Sequence, residues 1–136
     1  MKKNQPTNAA STTDGLNLVA QAWENREGPA VFATVDAAKT PNAIYVGEIR
    51  HVPGEGFIVA DNYFCKTRAN IKSGTKGAVL LLTKDRKSFQ VKGPLTYHTQ
   101  GPVFDNMRSW HHSKLPGAAA TLLRVEEVYS GAEKLY

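Results

Sequence analysis

The stretch FIVADNYFCKTRAN, residues 57–70, joins a strand, a polar turn and a short helix. Its apolar opening is rich in β-forming residues, and a polar pair then breaks the strand. The following segment, 64–72, predicts a helix whose first turn carries Lys66, Thr67 and Arg68. Unpaired backbone N–H groups make the start of a helix positive, so cations there are unfavourable unless an anion lies among them. The stretch therefore indicates either a phosphate-binding turn or a solvated helix end that is merely basic.

The rest of the chain has the spacing of an antiparallel β protein. Strands are predicted at residues 30–36, 43–52, 57–60, 78–83, 88–98 and 119–129. One helix is predicted after a cap at Thr13 or Asp14, a second at 64–72, and a third that begins at Pro102 and stops at 115–117. The run AVLLLT at 78–83 is apolar throughout, which predicts a strand buried on both faces. Gly93-Pro94 predicts a bend, because proline cannot donate to a sheet ladder. Short turns join sequential strands, so the pattern favours a mainly β fold, an antiparallel barrel with flanking helices outside.

Length and composition narrow the class of protein. The 136 residues fit a single domain, predicted at 14–136, behind a polar and disordered tail at 1–13. No run approaches the roughly 18 apolar residues of a membrane span, and the N-terminus lacks the apolar region of an export signal. The single Cys65 cannot form an internal disulfide. We therefore expect a soluble, cytoplasmic protein.

The charge of the chain indicates an anionic partner. The net charge is +5 and the sequence pI is about 9.4. Because Lys and Arg are spread along the chain without a long run, nucleic acid is only a weaker alternative. His111 and His112 are adjacent and point in different directions on a helix, so no metal site is predicted. Cys65 is interpreted as a packing residue, although its neighbour Lys66 could favour a thiolate.

Between Gly28 and Tyr129, about three quarters of the chain, the sequence resembles the flavin-binding split barrels related to pyridoxamine 5'-phosphate oxidase. The order and spacing of several pieces carry the resemblance, since no single piece is specific. The matching pieces are GPAVFATVD at 28–36, PNAIYVGEIR at 41–50, FIVADNYFCKTRAN at 57–70, GAVLLLT at 77–83, FQVKGPLTYHTQGPVFDNM at 89–107 and LRVEEVYS at 123–130. The small stand-alone FMN-binding proteins of this family are the closer comparison in length.

The resemblance implies a six-stranded antiparallel split barrel that forms a homodimer, with flavin mononucleotide (FMN) bound at the interface. The phosphate would lie beside the helix after the third strand, and the ring along the second and third strands. The implied phosphate-binding residues are Lys66, Thr67, Asn70 and the nearby Arg68, and the implied ring-binding residues are Ile44, Tyr45, Val46, Ala60 and Asp61. The fifth strand would approach the flavin at Ser88 and Phe89, and the ring would be covered from the partner subunit by Trp110, Leu135 or Tyr136.

The function implied by the resemblance is that of a flavoprotein in redox or electron transfer, or of an FMN-dependent oxidoreductase on an unidentified substrate. NAD(P)H or a redox partner would supply the electrons. Longer pyridoxamine phosphate oxidases carry a C-terminal segment with Trp, Arg and His that grips the substrate, and no such segment is present here, so vitamin B6 oxidation is not expected. The alternative is a non-enzymatic module that binds or stores a flavin or haem. No catalytic side chain is assigned, because the cofactor carries the chemistry.

Overall fold

The computed structural model describes the chain from residue 7 to residue 136, with side chains from residue 14 onward. In chain order the elements are α1 (Thr7–Glu24), β1 (Ala30–Val35), β2 (Pro41–Val46), β3 (Ile49–Val52), β4 (Gly56–Asp61), α2 (Lys66–Lys72), β5 (Lys76–Leu82), β6 (Ser88–His98), α3 (Pro102–Arg108), β7 (Ala119–Arg124), β8 (Glu127–Ser130) and β9 (Glu133–Lys134). Residues 1–6 of the predicted tail lie outside the described part. Residues 7–13 belong to α1, so the helix begins before the predicted cap at Thr13 or Asp14.

The strands form one antiparallel sheet whose main path runs β2-β1-β5-β6-β7-β4-β3. The short strands β8 and β9 lie off this path, with β8 paired to β6 and β9 paired to β8. β6 joins the two halves of the sheet. One edge of it pairs with β5 over residues 88–94, and the other edge pairs with β8 and then, over residues 95–98, with β7. The predicted mainly β split-barrel fold with flanking helices is confirmed, but the described part has nine strands and not six.

Gly93 lies where β6 changes its partner on the second edge. A Cβ at position 93 would lie only 1.7 Å from the carbonyl oxygen of Arg124, so close backbone approach requires glycine here. The N–H of Glu126 donates to the carbonyl of Lys92 at 2.8 Å and holds the chain at this crossing. The predicted single strand at 119–129 is therefore wrong, because the chain leaves the ladder between β7 and β8 as it passes Gly93.

Three further predictions differ from the structure. The strand predicted at 43–52 is divided into β2 and β3 by a bend at Gly47 and Glu48. β5 is not buried on both faces, because its side chains alternate and Leu80 and Leu82 are 40% and 37% exposed. An apolar run does not itself distinguish a doubly buried strand from one whose outer face is also apolar. The third helix ends at Arg108, well before its predicted stop.

The main core lies where α1 packs on the sheet. Val19, Ala22 and Trp23 of α1 are buried there, and the Trp23 ring meets the Phe57 ring edge-on with 5.3 Å between centroids. A smaller cluster packs Met107 of α3 against β4 and β7. None of the helices in the described part is long and apolar enough to cross a membrane.

Candidate functional site

α2 is attached to the sheet by polar contacts from its buried face. Nδ2 of Asn42 on β2 donates to Oγ1 of Thr67 at 3.0 Å. Nδ2 of Asn70 donates to Oγ1 of Thr34 on β1 at 2.9 Å. Both helix residues are buried, and the Asn70–Thr34 contact satisfies groups that water does not reach. Because Thr67 accepts from Asn42, its own hydroxyl proton remains available to a further acceptor.

A fully buried carboxylate ends β4 just before α2. Asp61 has 0% exposure, and its oxygens accept from the Phe64 N–H at 2.9 Å, from Nε and Nη2 of Arg68 at 2.8 and 3.2 Å, and from the Tyr97 hydroxyl. A guanidinium that donates to both oxygens of a carboxylate makes a strong and directional contact. We refer to Asp61, Arg68 and Tyr97 as the Asp61 cluster.

The contacts of the Asp61 cluster keep its carboxylate ionised. Burial alone would raise the pKa of Asp61, but the hydrogen bonds from Arg68, Tyr97 and the Phe64 N–H outweigh burial and hold the pKa below its ordinary value. The hydrogen bond to Asp61 raises the pKa of Arg68. Burial, followed by the bond to Asp61, raises the pKa of Tyr97. At neutral pH the cluster therefore holds a carboxylate, a guanidinium and a neutral phenol.

Two adjoining hollows form one groove between β2 and the turn that links β4 to α2. The first has a volume of about 390 Å³ and the second, toward the start of α2, about 280 Å³. Both are lined by Ile44, Tyr63 and Phe64. The first is also lined by Tyr45, Val46, Gly47, Glu48, Ala60, Asn62 and Leu115, and the second by Asn42, Cys65, Lys66 and Thr67. We refer to the whole as the β2–α2 groove.

Half of the predicted cofactor-binding residues line this groove. They are Ile44, Tyr45, Val46, Ala60, Lys66 and Thr67. Three others, Asp61, Arg68 and Asn70, do not line it. Asp61 and Arg68 are bonded to each other, and Asn70 is bonded to Thr34. These bonds hold Asp61 and Asn70 in the protein interior, whereas the Arg68 side chain is 38% exposed and keeps three N–H groups outside its bonds to Asp61.

The remaining three predicted residues lie away from the groove. Phe89 is buried in the main core, and the carbonyl of Ser88 accepts from the Ser130 hydroxyl at 2.9 Å. Trp110 packs against the smaller cluster, and its Nε1 donates to Oδ1 of Asn106 at 2.8 Å. Within one chain, none of these three residues lines the groove.

The structure adds groove residues that the sequence did not single out for contact. Tyr63 and Phe64 lie within the stretch 57–70, directly after the residues that break the strand. That position could have identified them as residues of the site. Leu115 comes from the segment before β7, which is anchored where the Gly117 N–H donates to Oδ1 of Asn62 at 2.9 Å. No local pattern indicated that contact, since it joins positions that are 55 residues apart.

The chain is similar to one protein family and to several solved structures. The family model described as pyridoxamine 5'-phosphate oxidase matches residues 19–131. No curated protein matches the chain. An FMN-binding protein from Syntrophomonas wolfei subsp. wolfei is 16% identical with a TM-score of 0.77, over 92% of this chain and 91% of its own. HupZ from Group A Streptococcus is 22% identical with a TM-score of 0.74, over 88% and 95%. HutZ, a heme-storage protein from Vibrio cholerae, is 14% identical with a TM-score of 0.62, over 84% and 92%. At these identities the likeness establishes a shared fold.

Proposed function

Because this chain belongs to the pyridoxamine 5'-phosphate oxidase family, we propose that it is a flavoprotein that binds FMN in the β2–α2 groove. One observation carries the proposal. The groove has apolar walls along β2 and ends at Lys66 and Thr67, which suits a ligand with a flat ring at one end and a phosphate at the other. The shared fold of the FMN-binding protein from S. wolfei supports FMN as that ligand.

The chemistry of the groove fits the two ends of FMN. The exposed Lys66 ammonium supplies a point charge for a phosphate dianion, and the Thr67 hydroxyl proton is available to a phosphate oxygen because Asn42 already occupies the Thr67 oxygen. Ile44, Phe64 and the side chains around them offer apolar surface to a ring. The volume of the first hollow alone lies within the roughly 300–1,000 Å³ that is usual for ligand pockets.

The part played by this chain is to bind and orient the cofactor, while bound FMN would supply redox chemistry through its ring. Lys66 and Thr67 hold the phosphate end. Ile44 and Phe64 cover the apolar surface of the ring and limit the access of water to it. Tyr45, which is 77% exposed, stands where it can lie against the ring or against a substrate. No side-chain acid or base is assigned to the transfer of electrons.

We propose electron or hydride transfer as the activity, with NAD(P)H or a redox protein as the donor. Storage without turnover is the second candidate, because the heme-storage protein from V. cholerae has the same fold over 84% of this chain. The two candidates differ in turnover. A redox protein is reduced by a donor and reoxidised by an acceptor, whereas a storage module holds a flavin or haem unchanged in the presence of both.

We propose a homodimer that forms through the outer face of β2, β1 and β5. Val31 pairs directly with Tyr45 on one side and with Leu80 on the other, so the three side chains lie on one face. Leu82, two residues beyond Leu80, shares that face. Contiguous exposed apolar surface of this kind is typical of an interaction site. Tyr45 belongs to both this face and the groove, so a second copy would also close the groove toward solvent.

Replacing the two residues at the phosphate end tests the proposed function. We expect the double variant Lys66→Ala/Thr67→Ala to bind FMN at least about tenfold more weakly, because it loses one charged and one neutral donor. Its affinity for riboflavin, which lacks the phosphate, should stay unchanged. Quenching of flavin fluorescence during titration of the apoprotein measures both affinities.

Lys84→Ala is the matched control for this experiment. It removes the same charge from an exposed position in the turn between β5 and β6, away from the groove. Thermal melting confirms that each variant is folded. Equal FMN affinities for the double variant and the wild type would show that the phosphate does not bind at Lys66 and Thr67.

A further inference from the structure

We propose that the Asp61 cluster is a positioning device for the β2–α2 groove. Asp61, Arg68 and Tyr97 would set the affinity for the flavin by holding the turn at residues 62–65, which forms one wall of the groove. None of the three lines the groove, so they act through the turn and not on the ligand. The inference rests on the proposed function and names residues that govern the same site.

The carboxylate of Asp61 fixes the turn from the inside. Oδ1 accepts from the N–H of Phe64, three residues later, and this bond closes the turn. The same carboxylate is tied to α2 through Arg68 and to β6 through Tyr97. The turn is thus held by a group whose own position is fixed by two separate elements.

The backbone of the same segment is also fixed from the other side. The carbonyl of Asp61 accepts from the Ala118 N–H at 2.9 Å, and Oδ1 of Asn62 accepts from the Gly117 N–H at 2.9 Å. These donors follow Leu115, which is itself a wall of the groove. The turn and the segment opposite it are therefore positioned together.

Phe64 connects the cluster to the groove. Its N–H donates to Asp61, its side chain lines both hollows, and its ring lies 6.1 Å from that of Phe32 in the core. A change in the hydrogen bonds of Asp61 therefore acts on the backbone of Phe64 and moves its ring. Tyr63, the adjacent residue, lines both hollows as well and would move with it.

The burial of Asp61 explains why this group is suited to positioning. A buried carboxylate is unfavourable unless it is paired and hydrogen-bonded, so it tolerates few arrangements of its donors. Here the Asp61 side chain is 0% exposed, and besides the Phe64 N–H of the turn its donors come from α2 and β6. Lys72 adds positive charge nearby, with its ammonium 5.2 Å from the centroid of the Tyr97 ring.

Removing the Tyr97 hydroxyl tests the inference. We expect Tyr97→Phe to weaken the binding of FMN and of riboflavin alike by about tenfold, the size usual for residues that act through a packed network. The visible circular dichroism of the bound flavin should change, because the wall beside the ring has moved. Tyr129→Phe is the matched control, since that hydroxyl also donates to a carboxylate, Glu127, but on β8 and away from the groove. It should alter neither affinity nor spectrum.

A double-mutant cycle with Phe64→Leu shows whether the effect passes through the turn. In the Phe64→Leu background, Tyr97→Phe should weaken binding by less than about twofold, since contacts that act as one unit are not additive. Tyr129→Phe combined with Phe64→Leu should be additive. Arg68→Lys, which keeps the charge but loses the two-pronged contact, provides a second variant that is expected to behave as Tyr97→Phe does.

The outcomes separate this inference from the proposed function. If the wild type binds FMN but Tyr97→Phe and Arg68→Lys lower only the melting temperature and leave both affinities unchanged, the positioning role is overturned and the proposed function stands. Additive behaviour in the Tyr97–Phe64 cycle likewise overturns it. A wild-type protein that binds neither FMN nor riboflavin overturns both.

Discussion

At the scale of single residues, the polar side chains of α2 serve two purposes. Lys66 is exposed at the end of the groove, whereas Asn70 points into the protein and donates to Thr34. The Asn70–Thr34 pair is buried, so water cannot replace their hydrogen bond if one partner is removed. A side chain predicted to bind phosphate therefore secures the helix that carries the other phosphate-binding residues.

Thr34→Val should lower the free energy of unfolding by about 1–3 kcal/mol, because the Asn70 amide would be left buried without its acceptor. The replacement has nearly the same shape, so packing changes little. Urea denaturation measures the effect. Thr40→Val, at an exposed position after β1, is the control and should stay within about 0.5 kcal/mol of the wild type. A Thr34→Val variant as stable as this control would contradict the role given to the pair.

The sequence allowed only part of this residue-scale detail to be predicted. Lys66 and Thr67 were expected at the phosphate, and the structure places both in the groove. Arg68 and Asn70 were expected with them, but Arg68 is bonded to Asp61 and Asn70 donates to Thr34, so their part in phosphate binding stays a prediction. Which side faces the groove depends on partners as distant as Thr34, and no local pattern encodes that.

At the scale of secondary-structure elements, β6 determines how the sheet divides. It contributes to both halves, and Gly93 lets its second edge pass from β8 to β7. The Gly93-Pro94 pair was recognised as a bend from the sequence, since both residues are unusual within a strand. The break at 125–126 was not, because it follows from contacts across the sheet. The break at 47–48 was missed although Gly47 inside a predicted strand is a signal of an interruption.

Gly93→Ala should destabilise the protein by about 1–3 kcal/mol, the usual cost of forcing extra atoms into a packed site. The added Cβ would overlap the Arg124 carbonyl, which is backbone and cannot rotate away. Gly47→Ala is the control, because a Cβ there meets nothing within 4 Å. The free energies of unfolding of both variants, measured in urea, test the argument. Equal free energies of unfolding for the two variants would show that β7 and β8 move to accommodate the added Cβ at little energetic cost.

At the scale of the whole molecule, the outer face of β2, β1 and β5 is the feature that a single chain leaves unexplained. The run at 78–83 was expected to form a strand that is buried on both of its faces. Leu80 and Leu82 are exposed in one chain, so a second chain is the simplest way for that apolar face to be covered. The same face includes Tyr45, which links the proposed dimer to the proposed cofactor site.

The double variant Leu80→Lys/Leu82→Lys should be monomeric under conditions in which the wild type is a dimer. Buried like charges would face one another across a two-fold interface, which association does not tolerate. Sedimentation velocity distinguishes the two states. Leu18→Lys changes a leucine of similar exposure, 38%, on α1 and should leave the dimer intact. A wild-type protein that is monomeric at every concentration tested would rule out the proposed dimer.

The absorption spectrum of the freshly purified protein, together with the mass of whatever heat releases from it, tests the central claim most directly. The β2–α2 groove joins apolar walls to a basic end at Lys66 and Thr67, so we expect flavin absorption bands and a released mass equal to that of FMN. A protein that shows no flavin bands and takes up no added FMN would contradict the claim, and the groove would then need a different ligand.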